Sequence, residues 1–208
     1  MPKLVVTNVT TKASHPIVVF GDTSGFTRFA QRTYENPKIV RDYLLKTINL
    51  YFDYERRTSG HLKLECDGFI SFHDSTEKTK LPVTKMVLRE TEILYAKIMD
   101  VIRGLRYPRP DGYRISVADG PAWNVQINVN KPKSGEITIN DSYGYPGYLA
   151  SRMQETHKSV SLKCSQGIYE MFEGRDEGIV FEQLKKDRRV PEGIFKEDWL
   201  TMWSYRST

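Results

Sequence analysis

The chain has 208 residues, and its 39% hydrophobic and 12% aromatic content is enough for a folded core, which excludes an intrinsically disordered chain. The formal net charge of +5 at pH 7 allows an anionic partner, but no RNA- or DNA-binding motif accompanies it, so we expect no nucleic-acid partner. The two cysteines form no CxxC or Cys/His cluster, which argues against a zinc site. No signal peptide or membrane-length apolar run is present, and we expect one cytoplasmic domain over residues 1–208, without direct membrane insertion.

The first half of the chain is predicted to alternate buried strands with amphipathic helices. Residues 16–21 are an apolar run typical of a buried strand, and residues 37–57 repeat apolar side chains at helical spacing after an early proline. Residues 60–73 predict two short strands joined at an Asp-Gly turn, a dipeptide typical of hairpins. Residues 83–105 predict a second amphipathic helix, which a Pro-rich segment ends.

The second half of the chain is richer in short strands. They are predicted at residues 113–120, 123–129, 135–140, 159–164, 178–184 and 199–205. A helix is predicted at residues 147–155, between the third and fourth of these strands. Since strands and helices alternate less strictly than in a doubly wound fold, this order predicts an α+β domain with a mixed or antiparallel sheet and helices packed on one face.

Two carboxylates stand where predicted strands end. The segment IVVFGDTSGFTRFA, residues 17–30, ends its apolar run on Asp22 and continues as a loop of small residues, while Asp67 lies at the tip of the next hairpin. If the two strands are neighbours, both acids lie at one edge of the sheet, where they repel each other unless a cation such as Mg²⁺ lies between them. The loop Thr23–Thr27 would then offer backbone N–H groups to an anion beside the metal. The alternatives are that Asp22 caps a helix and that Asp67 is only a turn residue.

Four segments resemble signature motifs of the class III nucleotide cyclases, the catalytic domains of adenylate and guanylate cyclases. FGDTSGFT resembles their F-x-D-x-x-G-F-T motif, and LKLECDGFISF resembles their K-x-x-G-D hairpin, with Cys66 where the family usually has Gly. YRISVADGPAW is similar to R-x-G-x-x-x-G-P, and DSYGYPGYLASRMQ is similar to D-x-x-G-x-x-V-N-x-A-S-R. The four motifs follow the family's order and span residues 17 to 155, which makes the resemblance specific.

The resemblance implies a ferredoxin-like α+β fold that works as a head-to-tail homodimer, with nucleoside triphosphate substrates bound at the interface. It implies that Asp22 and Asp67, with Thr23 beside them, hold two Mg²⁺ or Mn²⁺ ions. The residues implied to bind substrate near these ions are Ser24, Gly25, Phe26 and Thr27. Arg152 matches the family's transition-state arginine, which the partner protomer supplies. The implied reaction is attack of the ribose 3′-hydroxyl on the α-phosphate, with pyrophosphate as the leaving group.

Base recognition is where the sequence departs from the better-known cyclases. Lys63 and Asp141 match the pair that recognises adenine in adenylate cyclases, but the same two side chains can also hydrogen-bond uracil or cytosine. Tyr148 replaces the Asn that orients the ribose. It either fills part of the nucleotide pocket or packs as an interface or core aromatic, with the Asn role lost. Tyr143 and Tyr145 are two further aromatic residues that would narrow a pocket here and favour a small base.

These departures resemble the stand-alone pyrimidine cyclases of bacterial Pycsar antiphage systems, which make cyclic UMP or cyclic CMP and signal to a separate effector protein. Between the two we favour a uridylate cyclase, because an ionised Asp141 accepts well from uracil N3–H, while cytosine N4–H₂ would serve Asp141 as well. Two alternatives stay open. One is an adenylate cyclase, on the strength of Lys63 and Asp141, and the other is a degenerate cyclase domain that binds nucleotide without catalysis.

The family also has a lysine near its C-terminus that holds the triphosphate. Here a basic stretch offers Lys185, Lys186, Arg188 and Arg189. We take Lys185 as the candidate, with the alternative that this stretch is solvated surface.

Overall fold

The structure, a computed structural model, describes residues 5–131, 135–185 and 190–208. Its strands are β1 (Val5–Ser14), β2 (Ile17–Ser24), β3 (His61–Glu65), β4 (Gly68–His73), β5 (Gly112–Asp119), β6 (Ala122–Lys131), β7 (Gly135–Gly144), β8 (Leu162–Cys164), β9 (Ile179–Gln183) and β10 (Trp203–Ser207). Its helices are α1 (Phe26–Arg32), α2 (Pro37–Thr58), α3 (Lys80–Gly104), α4 (Tyr145–Met153), α5 (Gln166–Glu170) and α6 (Lys196–Leu200). Within these described ranges, every helix is too short or too polar to cross a bilayer.

The larger sheet has the strand order β3-β4-β2-β5-β8-β10-β9. Its neighbouring strands are antiparallel except β5 and β8, which are parallel, so the sheet is mixed. β2 lies between β4 and β5 and begins with Ile17, Val18 and Val19, whose side chains are fully buried. A continuous apolar run suits a strand that is covered on both faces. The predicted α+β fold with a mixed sheet is confirmed.

Helices cover both faces of the larger sheet. Successive residues of a strand point to opposite faces, so β2 gives Val19 to one face and Phe20 to the other. α2 and α3 pack on the first face, in a core that contains Val19 and Leu94. α4 packs on the second face, where Leu149 is buried with Ala118 and Phe20 lies against them. The expectation of helices on one face is wrong, because the second face is apolar as well.

A small sheet with the order β1-β6-β7 is antiparallel throughout. The sequence predicts β6 and β7 but not β1. The side chains of residues 6–13 in β1 are all exposed, and Thr and Asn interrupt the apolar positions of VVTNVTTKAS. A strand without a buried face lacks the apolar alternation by which strands are recognised in a sequence.

Two predicted strand boundaries are wrong in an informative way. β2 continues to Ser24, because β5 pairs with it as far as Gly112, so Asp22 lies inside the strand rather than after it. The predicted strand 199–205 is instead the end of α6 followed by β10. Acidic side chains in the first turn of α6 suit a helix N-terminus, and Trp199 is buried in the second-face core.

Candidate active site

Asp22 and Asp67 are brought together because β2 lies beside the β3–β4 hairpin. Asp22 lies in β2 opposite Arg114 of β5, and Asp67 is in the turn between β3 and β4. At Gly68, an added Cβ would lie 2.1 Å from the carbonyl oxygen of Gly21, so the absence of a side chain lets the turn pack directly on β2. Both carboxylates line one open cavity of about 490 Å³.

Thr23 fastens the hairpin turn to β2. Its buried hydroxyl donates to the carbonyl oxygen of Asp67 at 2.7 Å and lies 2.8 Å from the hydroxyl of Tyr43. The hydroxyl of Tyr51 also donates to the Asp67 carbonyl, at 3.4 Å. The Thr23 side chain therefore supports the turn that carries Asp67. We call Asp22, Thr23 and Asp67 the carboxylate site.

The two carboxylates of this site disfavour each other's ionised form. Burial raises the pKa of Asp67, and the negative charge of Asp22 raises it further, to about 6. Burial also raises the pKa of Asp22, although Arg114 Nη2, 3.4 Å from Asp22 Oδ2, opposes the rise. A divalent cation between the carboxylates would offset both the burial and the repulsion, so this donor set fits Mg²⁺ or Mn²⁺.

The donors around such a cation would not all be side chains. Among the described residues, no group of three or more His, Cys, Asp or Glu side chains could hold a metal ion. An ion at the carboxylate site would therefore take its remaining ligands from water, backbone carbonyls or a bound substrate. Mg²⁺ commonly binds in this way, with one or two carboxylates plus water and phosphate.

The helix-cap interpretation of Asp22 is wrong. The residue that precedes α1 is Gly25, and no side chain caps this helix. Gly25 has φ 75°, a left-handed conformation that favours glycine, and a Cβ there would lie 2.3 Å from Asp111 Oδ2, so the Asp111 side chain would have to move. Asp22 is thus free of a capping role and faces the cavity.

The predicted substrate loop forms one wall of the same cavity. Its lining residues after Asp22 and Thr23 are Gly25, Phe26, Thr27, Arg28 and Gln31. The Phe26 ring packs against Phe29 and Tyr43 in the main core, with ring centroids 6.0 and 6.3 Å away. Ser24 lines a neighbouring cavity of about 550 Å³ that also contains Arg28 and Arg114. The loop therefore presents mainly backbone and small or basic side chains to these cavities.

Lys63 and Asp141 also lie together, in a second region of the chain. Lys63 Nζ on β3 is 3.4 Å from Asp141 Oδ2 on β7, so this pair joins the larger sheet to the small sheet. Tyr143 is 53% exposed, and the neighbouring Asp141 raises the pKa of its hydroxyl. Tyr145 instead donates its hydroxyl to Asp198 Oδ2 at 2.5 Å. Of the two flanking tyrosines, Tyr143 is the one in contact with the predicted base-recognition pair.

Tyr148 and Arg152 contact each other on α4. The Arg152 guanidinium lies 5.2 Å from the centre of the Tyr148 ring, and its Nη1 donates to Glu155 Oε1 at 2.6 Å. The Tyr148 hydroxyl donates to the carbonyl oxygen of Glu192 at 2.7 Å. We call Tyr148 and Arg152 the α4 surface. Neither residue lines the cavity that Asp22 and Asp67 share. Asp22 also lines a smaller cavity, of about 370 Å³, with Ser151, Gln154 and Glu155, so the C-terminal end of α4 lies beside Asp22, but Tyr148 and Arg152 do not line that cavity either.

The predicted triphosphate contact is exposed, and the sequence missed one residue that contacts Asp22. Lys185 is exposed after β9, whereas Lys186, Arg188 and Arg189 lie outside the described residues. Arg114 received no role from the sequence, although it lies within a quoted motif. Its Nη1 donates to the carbonyl oxygen of Gln154 at 2.6 Å while its Nη2 contacts Asp22. Only the register of β5 against β2 shows that Arg114 lies opposite Asp22.

No protein-family profile matches the sequence, and no curated protein does. Solved structures do match. The guanylyl cyclase Cya2 superposes with a TM-score of 0.68 at 15% identity, over 93% of this chain and 92% of that one. The adenylyl cyclase CyaB from P. aeruginosa gives a TM-score of 0.69 at 14% identity, over 96% of this chain and 97% of that one.

A bacterial light-regulated adenylyl cyclase gives a TM-score of 0.69 at 10% identity, over 94% of this chain. The chain spans 52% of the length of that cyclase. These likenesses show that the chain has the fold of the catalytic domains of class III adenylyl and guanylyl cyclases. The ferredoxin-like cyclase fold that the four motifs predict is confirmed.

Proposed function

We propose that the chain is a nucleotide cyclase, which converts a nucleoside triphosphate into a 3′,5′-cyclic nucleotide and pyrophosphate. The observation that carries the proposal is the pair of half-buried carboxylates, Asp22 and Asp67, which face one cavity on a cyclase fold and disfavour each other's charge. A carboxyl pair with raised pKa values in an open cavity is typical of a functional site.

In this proposal Asp22 and Asp67 hold two Mg²⁺ or Mn²⁺ ions, with Thr23 beside them. The bound ions supply Lewis-acid stabilisation of the oxygen that attacks and the oxygen that leaves. The loop Ser24–Thr27 lies beside the carboxylates and contacts the triphosphate. The ribose 3′-hydroxyl releases its proton to solvent as its oxygen forms a bond to the α-phosphorus, and the bond from that phosphorus to the oxygen that bridges to the β-phosphate breaks, so pyrophosphate leaves.

The proposed active unit is a head-to-tail homodimer. Neither side chain of the α4 surface lines the cavity that Asp22 and Asp67 share in its own chain, and both are accessible, Tyr148 being 37% exposed. We propose that Arg152 of each protomer stabilises the transition state at the carboxylate site of the other. A guanidinium suits this role because its fixed fork of donors matches phosphate oxygens. Lys185 is the proposed contact to the triphosphate tail.

For the substrate we propose UTP, or else CTP. The contact between Lys63 and Asp141 supports a site that reads base edges, and Tyr143 and Tyr148 add bulk that favours a small base. Asp141 would accept from uracil N3–H and Lys63 would donate to a carbonyl oxygen of the base. The same contact between Lys63 and Asp141 favours ATP as the second candidate. The proposed role is signalling in antiphage defence through a separate cyclic-nucleotide effector.

A direct assay tests this function. The purified protein is incubated with Mn²⁺ or Mg²⁺ and each of the four nucleoside triphosphates in turn, and cyclic products are identified by mass. We expect cyclic UMP as the main product. Product from ATP alone would assign the chain as an adenylate cyclase instead. No product from any nucleotide, from protein that is folded and dimeric, would favour the non-catalytic alternative.

A further inference from the structure

Lys163 of β8 is a fully buried lysine whose partners are backbone carbonyls. Its Nζ donates to the carbonyl oxygens of Met153, at 2.8 Å, and Thr156, at 2.5 Å. Met153 is the last residue of α4, and Thr156 lies in the turn after it. Burying an ammonium group is costly unless hydrogen bonds compensate it. A donor at a helix C-terminus recovers part of that cost, because the last carbonyls carry the negative end of the helix dipole. The Met153 carbonyl also accepts from the N–H and the hydroxyl of Thr156.

Two further contacts hold the same turn to the sheet. Arg114 Nη1 of β5 donates to the carbonyl oxygen of Gln154 at 2.6 Å. The Gln154 side chain, which is itself buried, donates to the carbonyl oxygen of Phe20 at 3.0 Å and to Ser116 Oγ at 2.8 Å. Strands β2, β5 and β8 therefore all contact the C-terminal turn of α4. Lys163 is the lysine among these donors, and neither it nor Gln154 belongs to the carboxylate site or the α4 surface.

The lysine acts next to a residue of the α4 surface. Arg152 directly precedes Met153, so the carbonyl that Lys163 holds belongs to the neighbour of Arg152. The side-chain contacts of Arg152 itself are with Tyr148 and Glu155, which lie on α4 or in the turn after it. Because those contacts stay within α4 and the turn after it, they cannot orient α4 relative to the sheet. The buried hydrogen bonds at the end of α4 can.

We propose that Lys163 is a positioning residue, which fixes the C-terminal turn of α4 and through it the direction of the Arg152 guanidinium. The inference rests on the proposed function, in which Arg152 completes the active site on the partner subunit. A transition-state donor that is misplaced by about 1 Å can cost about 10²-fold in rate. Loss of Lys163 should therefore slow the chemical step while the carboxylate site of the same chain stays intact.

An alternative role for Lys163 predicts the opposite result when variants are mixed. Lys163 lies near Arg114, and Arg114 contacts Asp22, so the lysine could act on the carboxylate site of its own chain. The two routes place the defect of a Lys163 variant in different halves of the dimeric active site. Mixing experiments separate them, because each active site takes its carboxylates from one protomer and its α4 surface from the other.

The variants for this test are Lys163→Met, which removes the donors, and Lys163→Gln, which keeps an N–H donor. Lys97→Met is the matched control, since Lys97 is exposed on α3. We expect Lys163→Met to lower kcat about 10- to 100-fold with KM and Mn²⁺ affinity within about twofold of wild type. Lys163→Gln should recover part of the rate, and Lys97→Met should match wild type. A wild-type kcat for Lys163→Met would overturn the proposal.

Mixing assigns the defect to one half of the site. Folded Lys163→Met protein is combined with Asp67→Ala protein, which has an intact α4 surface, or with Arg152→Ala protein, which does not. If subunits exchange at random, we expect the mixture with Asp67→Ala to reach about a quarter of the wild-type activity per protomer. The mixture with Arg152→Ala should stay at the residual activity of Lys163→Met alone. The reverse pattern, or no recovery with either partner, would overturn the proposal. If Lys163→Met does not fold, Lys163→Gln takes its place in both mixtures.

The reference mixture separates this inference from the proposed function. Asp67→Ala combined with Arg152→Ala should recover activity without any change at Lys163. Failure of that reference mixture, or absence of a cyclic product from the wild type, would overturn the proposed function and the role of Lys163 with it. Recovery in the reference mixture with the wrong pattern for Lys163→Met would overturn only the role of Lys163.

Discussion

The carboxylate site and the α4 surface are held in place by different means. Asp22 and the turn that carries Asp67 are fixed by backbone geometry, namely the register of β2 with β5 and the contact of Gly68 with Gly21. The side chains of the α4 surface contact one another and the carbonyl of Glu192. The first region is set by the central sheet of one chain, whereas the second extends outward from a short helix on its face.

This difference fits a division of labour between two protomers. A metal-binding site benefits from rigid placement, because its carboxylates must approach one ion at short distances. A residue that acts across an interface must instead remain accessible, and the Arg152 side chain is 39% exposed. Under the proposed function, each chain would contribute a preformed half and an accessible half. Changes in the two halves should have different signatures.

The largest expected effect is the loss of either carboxylate. We expect Asp22→Ala or Asp67→Ala to lower cyclase activity by about 10³-fold or more, because each removes an anionic ligand that the metal ions need. The fold should persist, since both side chains face an open cavity. Initial rates and circular dichroism measure the two outcomes. Asp100→Ala, on the exposed side of α3, is the matched control, and substantial turnover in either site variant would refute the metal assignment.

The α4 surface should give the next largest effect. We expect Arg152→Ala to lower kcat by about 10²- to 10³-fold with little change in Mn²⁺ affinity, because the transition state loses a charge-assisted donor while the carboxylates remain. The kcat of Arg152→Lys should lie between those of wild type and Arg152→Ala, since lysine keeps the charge but loses the fork of donors. Arg103→Ala, an exposed arginine of α3, is the control. Weakened Mn²⁺ binding in Arg152→Ala would contradict the separation of the two regions.

Tyr148 provides a finer test within the α4 surface. Tyr148→Phe removes the hydroxyl that donates to Glu192 but keeps the ring beside Arg152, so we expect only a few-fold change in rate. Tyr148→Asn removes both contacts and should alter base preference or the rate by more. Rates with UTP, CTP and ATP report the difference. Unchanged rates and preference in Tyr148→Asn would show that Tyr148 lies outside the pocket.

The smallest expected effect is on stability, and it belongs to the carboxylate site alone. Burial and Asp22 raise the pKa of folded Asp67 to about 6 from its usual 3.8. A raised carboxyl pKa contributes stability that is present below pH 4 and lost as the pH rises through 6, so the ionised pair is a liability at neutral pH. Without divalent ions, we expect Asp67→Asn to be more stable than wild type at pH 7.5 by about 1 kcal/mol, after allowance for solvent screening.

Urea denaturation in the presence of a chelator measures this difference. The advantage of Asp67→Asn should shrink as the pH falls from 7.5 to 4.5, because the wild-type carboxyl becomes protonated over that range. A constant difference at both pH values would show that the pKa of Asp67 is not raised in the folded chain.

The parts of the site that sequence could predict are those written into short motifs. The Asp-Gly turn and the strand before Asp22 follow from local residue types, and they place the two acids close together in the structure. The helix α4 follows from apolar spacing as well. The strand β1 was not predicted, because its side chains are exposed and its sequence lacks apolar alternation. Its conformation depends on pairing with β6 rather than on its own pattern.

The contacts between distant residues could not be predicted from sequence alone. The role of Arg114 depends on the register of two strands, and that of Lys163 depends on which helix end lies above β8. A buried lysine cannot be told from a solvated one in a sequence, because the neighbouring residues do not indicate which carbonyls it contacts. The motif identifies Tyr148 and Arg152, but it cannot show that neither of them lines the cavity that Asp22 and Asp67 share in one chain.

The most direct test of the central claim is complementation between the two regions. Asp67→Ala and Arg152→Ala proteins, each inactive alone, are mixed under conditions that allow subunit exchange, and cyclic nucleotide formation is measured. If each active site combines the carboxylates of one protomer with the α4 surface of the other, activity should return to about a quarter of the wild-type rate per protomer. A mixture that forms heterodimers and stays at the background rate would contradict the account.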